Sequence, residues 1–141
     1  MTRESEAVTR SGSSFSVGDS SNCVVLSLED DLLRITVRGD PPSGALLACF
    51  REAFADAALT TRRRPTLVDL TDFNGRIDWA SVRQVGAIAP WSKNGEGSRV
   101  AYVTDSLWFT TLLKLVKELY PETHHRQFDD VQSAAAWLIN A

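Results

Sequence analysis

Residues 66–81 read TLVDLTDFNGRIDWAS, and the reading of this stretch decides the fold. Thr66 to Leu70 is a nearly continuous apolar run, the kind found in a strand covered on both faces inside a parallel sheet. A loop follows, and then Asp78 stands where it can cap a helix, WASVRQVGAIA, which Pro90 stops or kinks. A buried strand that feeds a capped helix implies a right-handed crossover to a parallel neighbour.

Upstream, CVVLSL and LLRITVRG are β-rich runs separated by Glu29-Asp30-Asp31, a polar link short enough to close an antiparallel hairpin. Leu33, Ile35 and Val37 alternate with Arg34, Thr36 and Arg38, so one face of the second run is buried and the other wet. Next comes PPSGALLACFREAFADAAL, with Ser43 placed to cap a helix whose Leu46, Leu47, Phe50, Phe54 and Ala57 share one face. Downstream, SKNGEGS has the residues of a loop, and RVAYVT is a second inner strand. A third helix, SLWFTTLLKLVKELY, follows Asp105 and ends before Pro121. HHRQF makes a last short strand, and Asp129 or Asp130 caps VQSAAAWLI, whose Val131, Ala134, Ala135 and Leu138 form a small-residue face. The expected order is β-β-α-β-α-β-α-β-α: an α/β fold with a mixed, mainly parallel sheet of five strands, carrying four helices.

A chain of 141 residues fits one domain. Residues 1–21, rich in Ser, Gly, Thr and charge, are expected to be a flexible N-terminal tail, with the domain over 22–141. The net charge of -3 and pI near 5.3 give no positive field for nucleic acid or an anionic membrane, so no nucleic-acid partner is expected. Cys23 and Cys49 lack the spacing of a zinc site and read as buried reduced thiols. With neither a signal-like apolar run nor a stretch near the ~20 apolar residues of a spanning helix, the expected location is cytoplasmic.

The element order and three strings, VDLTDFNGRIDWAS, RVAYVTDSLW and FDDVQSAAAWL, resemble the SpoIIAA-like family, grouped with STAS and SEC14-like domains. The resemblance covers roughly residues 23 to 139 and implies a STAS-like fold. The wider STAS group includes anti-sigma-factor antagonists, in which a strand leads to an Asp-Ser-Ser-Gly at a helix start and one serine is phosphorylated by a partner kinase. Val68, Asp69, Leu70 and Thr71 match that strand, and Asp78 matches the motif's aspartate. The serines do not match: Trp79 and Ala80 occupy the Ser-Ser positions, and Ser81 stands in place of the glycine. Alanine cannot accept a phosphoryl group, which leaves Ser81 or Thr71 as displaced acceptors, or as ordinary capping and solvent-facing residues.

In open α/β sheets, ligands sit outside the carboxyl ends of the strands. Phe73 and Trp79 follow the third expected strand, Trp108 and Phe109 follow the fourth, and Trp91 follows the second helix. With Leu112 these are the candidate ligand-binding residues, large apolar side chains around a common end. The apolar residues of the third helix, Trp108 to Tyr120, cover an arc of about 160°, where a core-facing stripe needs little more than about 100°. The excess is read as a lid over an apolar pocket, a face for a second subunit or a peripheral membrane contact; a helix packed between two neighbours also explains it. The resemblance leans toward the first group, because SpoIIAA-like proteins have been suggested to bind an apolar ligand or associate with membranes.

Other signals are discounted. His124 and His125 are adjacent on a strand and point to opposite faces, so they do not chelate one metal. The Arg62-Arg63-Arg64 run sits at a helix-to-strand turn, where charge is usually solvated. Asp69 and Asp72 lack a nearby base, and Asp69 is expected to accept from backbone amides at the strand end. No catalytic set, metal or cofactor is expected. The expectation is a non-catalytic binding or regulatory module, with a sigma-antagonist-type protein switch and a small-molecule enzyme as the alternatives.

Overall fold

The computed structural model describes residues 8–12, 14–29, 32–41, 43–55, 65–75, 99–119 and 123–139. Seven strands form one sheet in chain order: β1 (Thr9–Ser11), β2 (Ser14–Gly18), β3 (Cys23–Glu29), β4 (Leu32–Arg38), β5 (Thr66–Asp69), β6 (Arg99–Val103) and β7 (His124–Phe128). The pairs from β1 to β4 are antiparallel, and those from β4 to β7 are parallel. The described residues carry three helices: α1 (Ser43–Phe54), α2 (Leu107–Leu119) and α3 (Val131–Ile139). Of the four expected helices, the second, over 79–89, lies outside the described residues. The first, third and fourth are α1, α2 and α3.

The expectation of five strands is corrected to seven, and the two additional strands come from residues assigned to the tail. Ser14–Gly18 reads SFSVG, a period-two alternation that buries Phe15 and Val17 and leaves the serines on the opposite face. The stretch is poor in apolar residues on average, yet its two large ones stand where a strand needs them. Beside α1, β2 pairs with β3 in the register Phe15↔Leu26 and Val17↔Val24, which stacks apolar residues against one another.

The remaining strands follow the predicted patterns. In the β3–β4 hairpin, Ile35 sits opposite Leu26 and Val37 opposite Val24, all buried on one face. In β6, Val100 and Tyr102 face that same side, while Ala101 and Val103 face the other. The larger core lies beneath α1 and α2 and joins Phe15, Leu26, Ile35, Cys49, Phe50, Val100, Phe109 and Leu113. The smaller core lies beneath α3, where Ala134 and Leu138 pack on Leu67, Ala101 and Val103. Both cysteines are buried free thiols, as read from the sequence. Burial pushes the Cys49 thiol up to about 12, so it behaves as a small apolar core residue.

α1 joins β4 to β5, and α2 joins β6 to β7, both on the face of the larger core. Each helix therefore begins at the carboxyl end of the strands and runs back toward the amino end. α3 also starts at the carboxyl end, where Asp130 accepts from the Ser133 amide at 2.7 Å. Among the described residues no helix is long and apolar enough to cross a membrane.

Candidate functional site

The carboxyl ends of β4 and β5 are knitted together past their last ladder residues. The Gly39 amide donates to Asp72 O at 2.8 Å, and the Asn74 amide donates to Gly39 O at 2.9 Å. These bonds hold Phe73 opposite Gly39 in a parallel bridge, half-buried against the larger core. Gly39 has φ of 67°, and a Cβ there would run into Ser21 O and Asn22 Oδ1, so only glycine fits without strain. The Asp40 amide donates to Asn22 Oδ1 at 2.9 Å, which brings the β2–β3 turn to the same end.

Asp69 ends β5 on the opposite face. Its Oδ1 accepts from the Thr71 amide and hydroxyl, and its Oδ2 accepts from Arg34 Nη2 at 3.2 Å. Burial raises the carboxyl, but the Thr71 hydrogen bonds together with the bond and charge of Arg34 outweigh it, and Asp69 stays below the usual carboxylate range. The amide-capping role expected for Asp69 is present. The Arg34 partnership was missed, although Arg34 is placed by the hairpin alternation on the Asp69 face. Thr71 is exposed, and its hydroxyl is donated to the Asp69 carboxylate.

α2 is capped by Ser106, whose Oγ accepts from the Phe109 amide at 3.3 Å. Its buried residues, Phe109, Leu112, Leu113 and Val116, span an arc of about 100°. Phe109 tilts against Tyr102 with ring centroids 5.0 Å apart. Beneath the helix, Tyr102 Oη and His125 Nδ1 lie 2.9 Å apart. Burial, the Lys117 charge and the His124 charge push His125 down to about 4, so it is neutral near pH 7. As expected of neighbours on a strand, His124 is exposed and His125 buried.

One flank of α2 faces β7: Thr110 Oγ1 donates to Gln127 Oε1 at 2.8 Å, and Lys117 is the cation nearest in effect to His125. The other flank is apolar and, among the described residues, uncovered. Trp108, Leu115 and Leu119 fall within about 40° of one another, roughly a quarter turn from the buried centre. They are 55%, 44% and 44% exposed, and Leu107, on the outer side of the first turn, is 83% exposed. The broad apolar arc read from the sequence thus divides into a buried stripe and an exposed one.

Of the candidate ligand-binding residues, Trp108 lies on this exposed stripe and Phe73 at the strand ends nearby in the topology. Phe109 and Leu112 are buried in the larger core, where the helix turns them onto the sheet. Trp79, Trp91 and the possible acceptor Ser81 lie outside the described residues, as does Ala80. The site members that the sequence reading did not name are Leu107, Leu115 and Leu119. Leu115 and Leu119 were legible from their spacing to Trp108, which repeats on one helical flank.

No protein-family model matches the sequence, and no curated protein matches it. Among solved structures, an uncharacterized protein from the DUF3478 family with a SpoIIAA-like fold, from Shewanella loihica PV-4, superposes with a TM-score of 0.57. The match covers 86% of this chain and 99% of that one, at 18% sequence identity. The chain has a SpoIIAA-like fold. In this SpoIIAA-like α/β fold the β3–β4 hairpin, the parallel strands and α1 to α3 are elements expected from the sequence, and β1–β2 brings the sheet to seven strands.

Proposed function

We propose that this chain is a non-catalytic STAS-like binding or regulatory module whose docking face is the uncovered flank of α2. The observation that carries this reading is the stripe of Trp108, Leu115 and Leu119, exposed beside the buried residues of the same helix. Contiguous exposed apolar surface marks an interaction site more often than scattered residues do. An apolar small ligand or a protein surface fits the stripe best; a second copy of the chain or a peripheral membrane surface is the other occupant it would take.

The non-catalytic part rests on how the perturbed titratable groups are engaged. Asp69 is held by Thr71 and Arg34, Asp130 accepts from the first turn of α3, and His125 is buried under α2. None of these presents a poised acid or base to a cleft. A phosphorylation switch of the sigma-antagonist type would fall to Thr71 or Ser81, and the Thr71 hydroxyl is engaged beside an ionised carboxylate that would repel an added phosphoryl group.

Trp108→Ser tests the reading. Native mass spectrometry of the protein purified from cells is expected to show a retained apolar mass or a second subunit that the variant loses. The urea midpoint should shift by no more than a surface change does, about 0.5 kcal/mol. A loss of ~3 kcal/mol or more with unchanged association would make Trp108 a core residue and remove the docking face.

A further inference from the structure

The carboxyl end of the sheet, where α2 begins, has a consistent charge. Asp40 follows β4, Asp72 follows β5, Asp105 follows β6, and Asp129 and Asp130 follow β7. Asp19 joins them from the β2–β3 turn, which Asn22 ties to the Asp40 amide. All six are exposed, and among the described residues the basic side chains reaching this end are Arg38 and Arg34, the latter paired with Asp69. Arg51 on α1, Arg99 at the start of β6, and Lys114 and Lys117 on α2 lie toward the opposite end. Asp19 and Asp130 accept from backbone amides, which holds both carboxyls below the usual range and keeps them charged near neutral pH.

Leu107 and Trp108 are exposed on the first turn of α2, directly after Asp105 and at the same end of the sheet as the other aspartates. Leu107 points away from the sheet, so packing against the face of the larger core does not account for it. An exposed apolar pair at an acidic end of the sheet discriminates among occupants. An anionic membrane is repelled, and a second copy approaching with the same end meets six aspartates with six aspartates. A protein segment that carries apolar anchors and Lys or Arg beside them is complementary on both counts.

We infer that the Leu107–Trp108 end of α2 docks a basic, amphipathic segment of a protein partner, with the apolar anchors seated on these two residues and the cations over the surrounding aspartates. The inference rests on the docking-face reading above and adds the partner's chemistry. The segment continues along the stripe toward Leu115 and Leu119, a path of about 16 Å from Trp108, or three helical turns.

The test uses the full chain and two fluorescein-labelled helical peptides of equal length, one of leucine and lysine, the other of leucine and glutamate. Fluorescence anisotropy at low salt is expected to show the lysine peptide binding at least about tenfold more tightly, with the preference shrinking as salt rises. Both Trp108→Ser and the combined Asp72→Asn, Asp105→Asn, Asp129→Asn variant should weaken it about fivefold or more, since anchor and charge contribute separately. Equal binding of the two peptides, lost in Trp108→Ser, would overturn the basic partner while leaving the docking face in place. Lysine-peptide binding that Trp108→Ser leaves unchanged would overturn the inference by reducing it to nonspecific charge. Binding of neither peptide, with Trp108-dependent pelleting on neutral phosphatidylcholine vesicles, would assign the stripe to a membrane and overturn it. Binding of neither, with Trp108→Ser unfolding the chain, would assign the stripe to contacts within this chain and overturn the docking face as well.

Discussion

Acidification from pH 7 to pH 5 perturbs His125, buried beside Tyr102. Its folded-state pKa lies at about 4 and its ordinary value at 6.5, because burial and the nearby positive charges of Lys117 and His124 disfavour the imidazolium. Between these values the unfolded chain binds a proton that the folded chain refuses, so stability rises with pH there and falls on acidification. The stabilising contribution is complete above pH 6.5 and lost as pH falls toward 4. The full interval corresponds to about 3 kcal/mol at 1.36 kcal/mol per pH unit, and roughly 2 kcal/mol of it is lost between pH 7 and pH 5. The lowered carboxylates Asp19, Asp69 and Asp130 change protonation below their ordinary value of 3.8, outside this window. Urea unfolding followed by far-UV circular dichroism at half-unit steps measures the slope. His125→Gln should lower stability throughout, through the lost contact with Tyr102, but flatten the dependence. A wild-type profile that is flat from pH 7 to 5, or a variant that keeps the wild-type slope, would refute the assignment to His125.

Two further perturbations probe the fold and the strand end. Phe15→Ala is expected to cost roughly 3–5 kcal/mol in urea unfolding, the range of a buried Phe truncation, whereas a residue in a free tail would cost nothing measurable. A double-mutant cycle of Arg34→Met and Asp69→Asn should return a coupling of about 1 kcal/mol or less, since both charges keep some contact with water, at 33% and 13% side-chain exposure. A coupling several times larger would mean that the pair organises the end of β5 rather than decorating it.

Much of the frame was legible because its strands carry strong patterns. Leu33, Ile35 and Val37 alternate cleanly, and Val100 to Val103 is apolar throughout, as a strand with helices on both sides requires. β2 escaped notice because only Phe15 and Val17 mark it within a run of serine and glycine, and averaged composition dilutes two residues. The site was half legible. The excess apolar arc of α2 followed from helical geometry, but assigning Phe109 and Leu112 to a pocket required the helix's rotation about its axis, which the spacing alone does not specify. That rotation is set by tertiary contacts, with Phe109 on Tyr102 and Thr110 on Gln127. Arg34 and Asp69, 35 residues apart, meet through the parallel β4–β5 register, a long-range pairing that no local pattern announces.

The order of the sheet also bears on how the molecule is made. Because β1 to β7 lie side by side in the order of their synthesis, each strand emerges next to the one completed before it, and none waits for a partner still to come. The β1–β4 meander can close from local pairings alone, at a small cost in loop entropy. The two faces then mature at different times. α1 and α2 cover the larger core as they appear, whereas among the described residues it is the later helix Val131–Ile139 that covers Leu67, Ala101 and Val103 on the other face. A chain halted before that helix would present a sheet finished on one side and bare on the other, the form of this protein most exposed to aggregation.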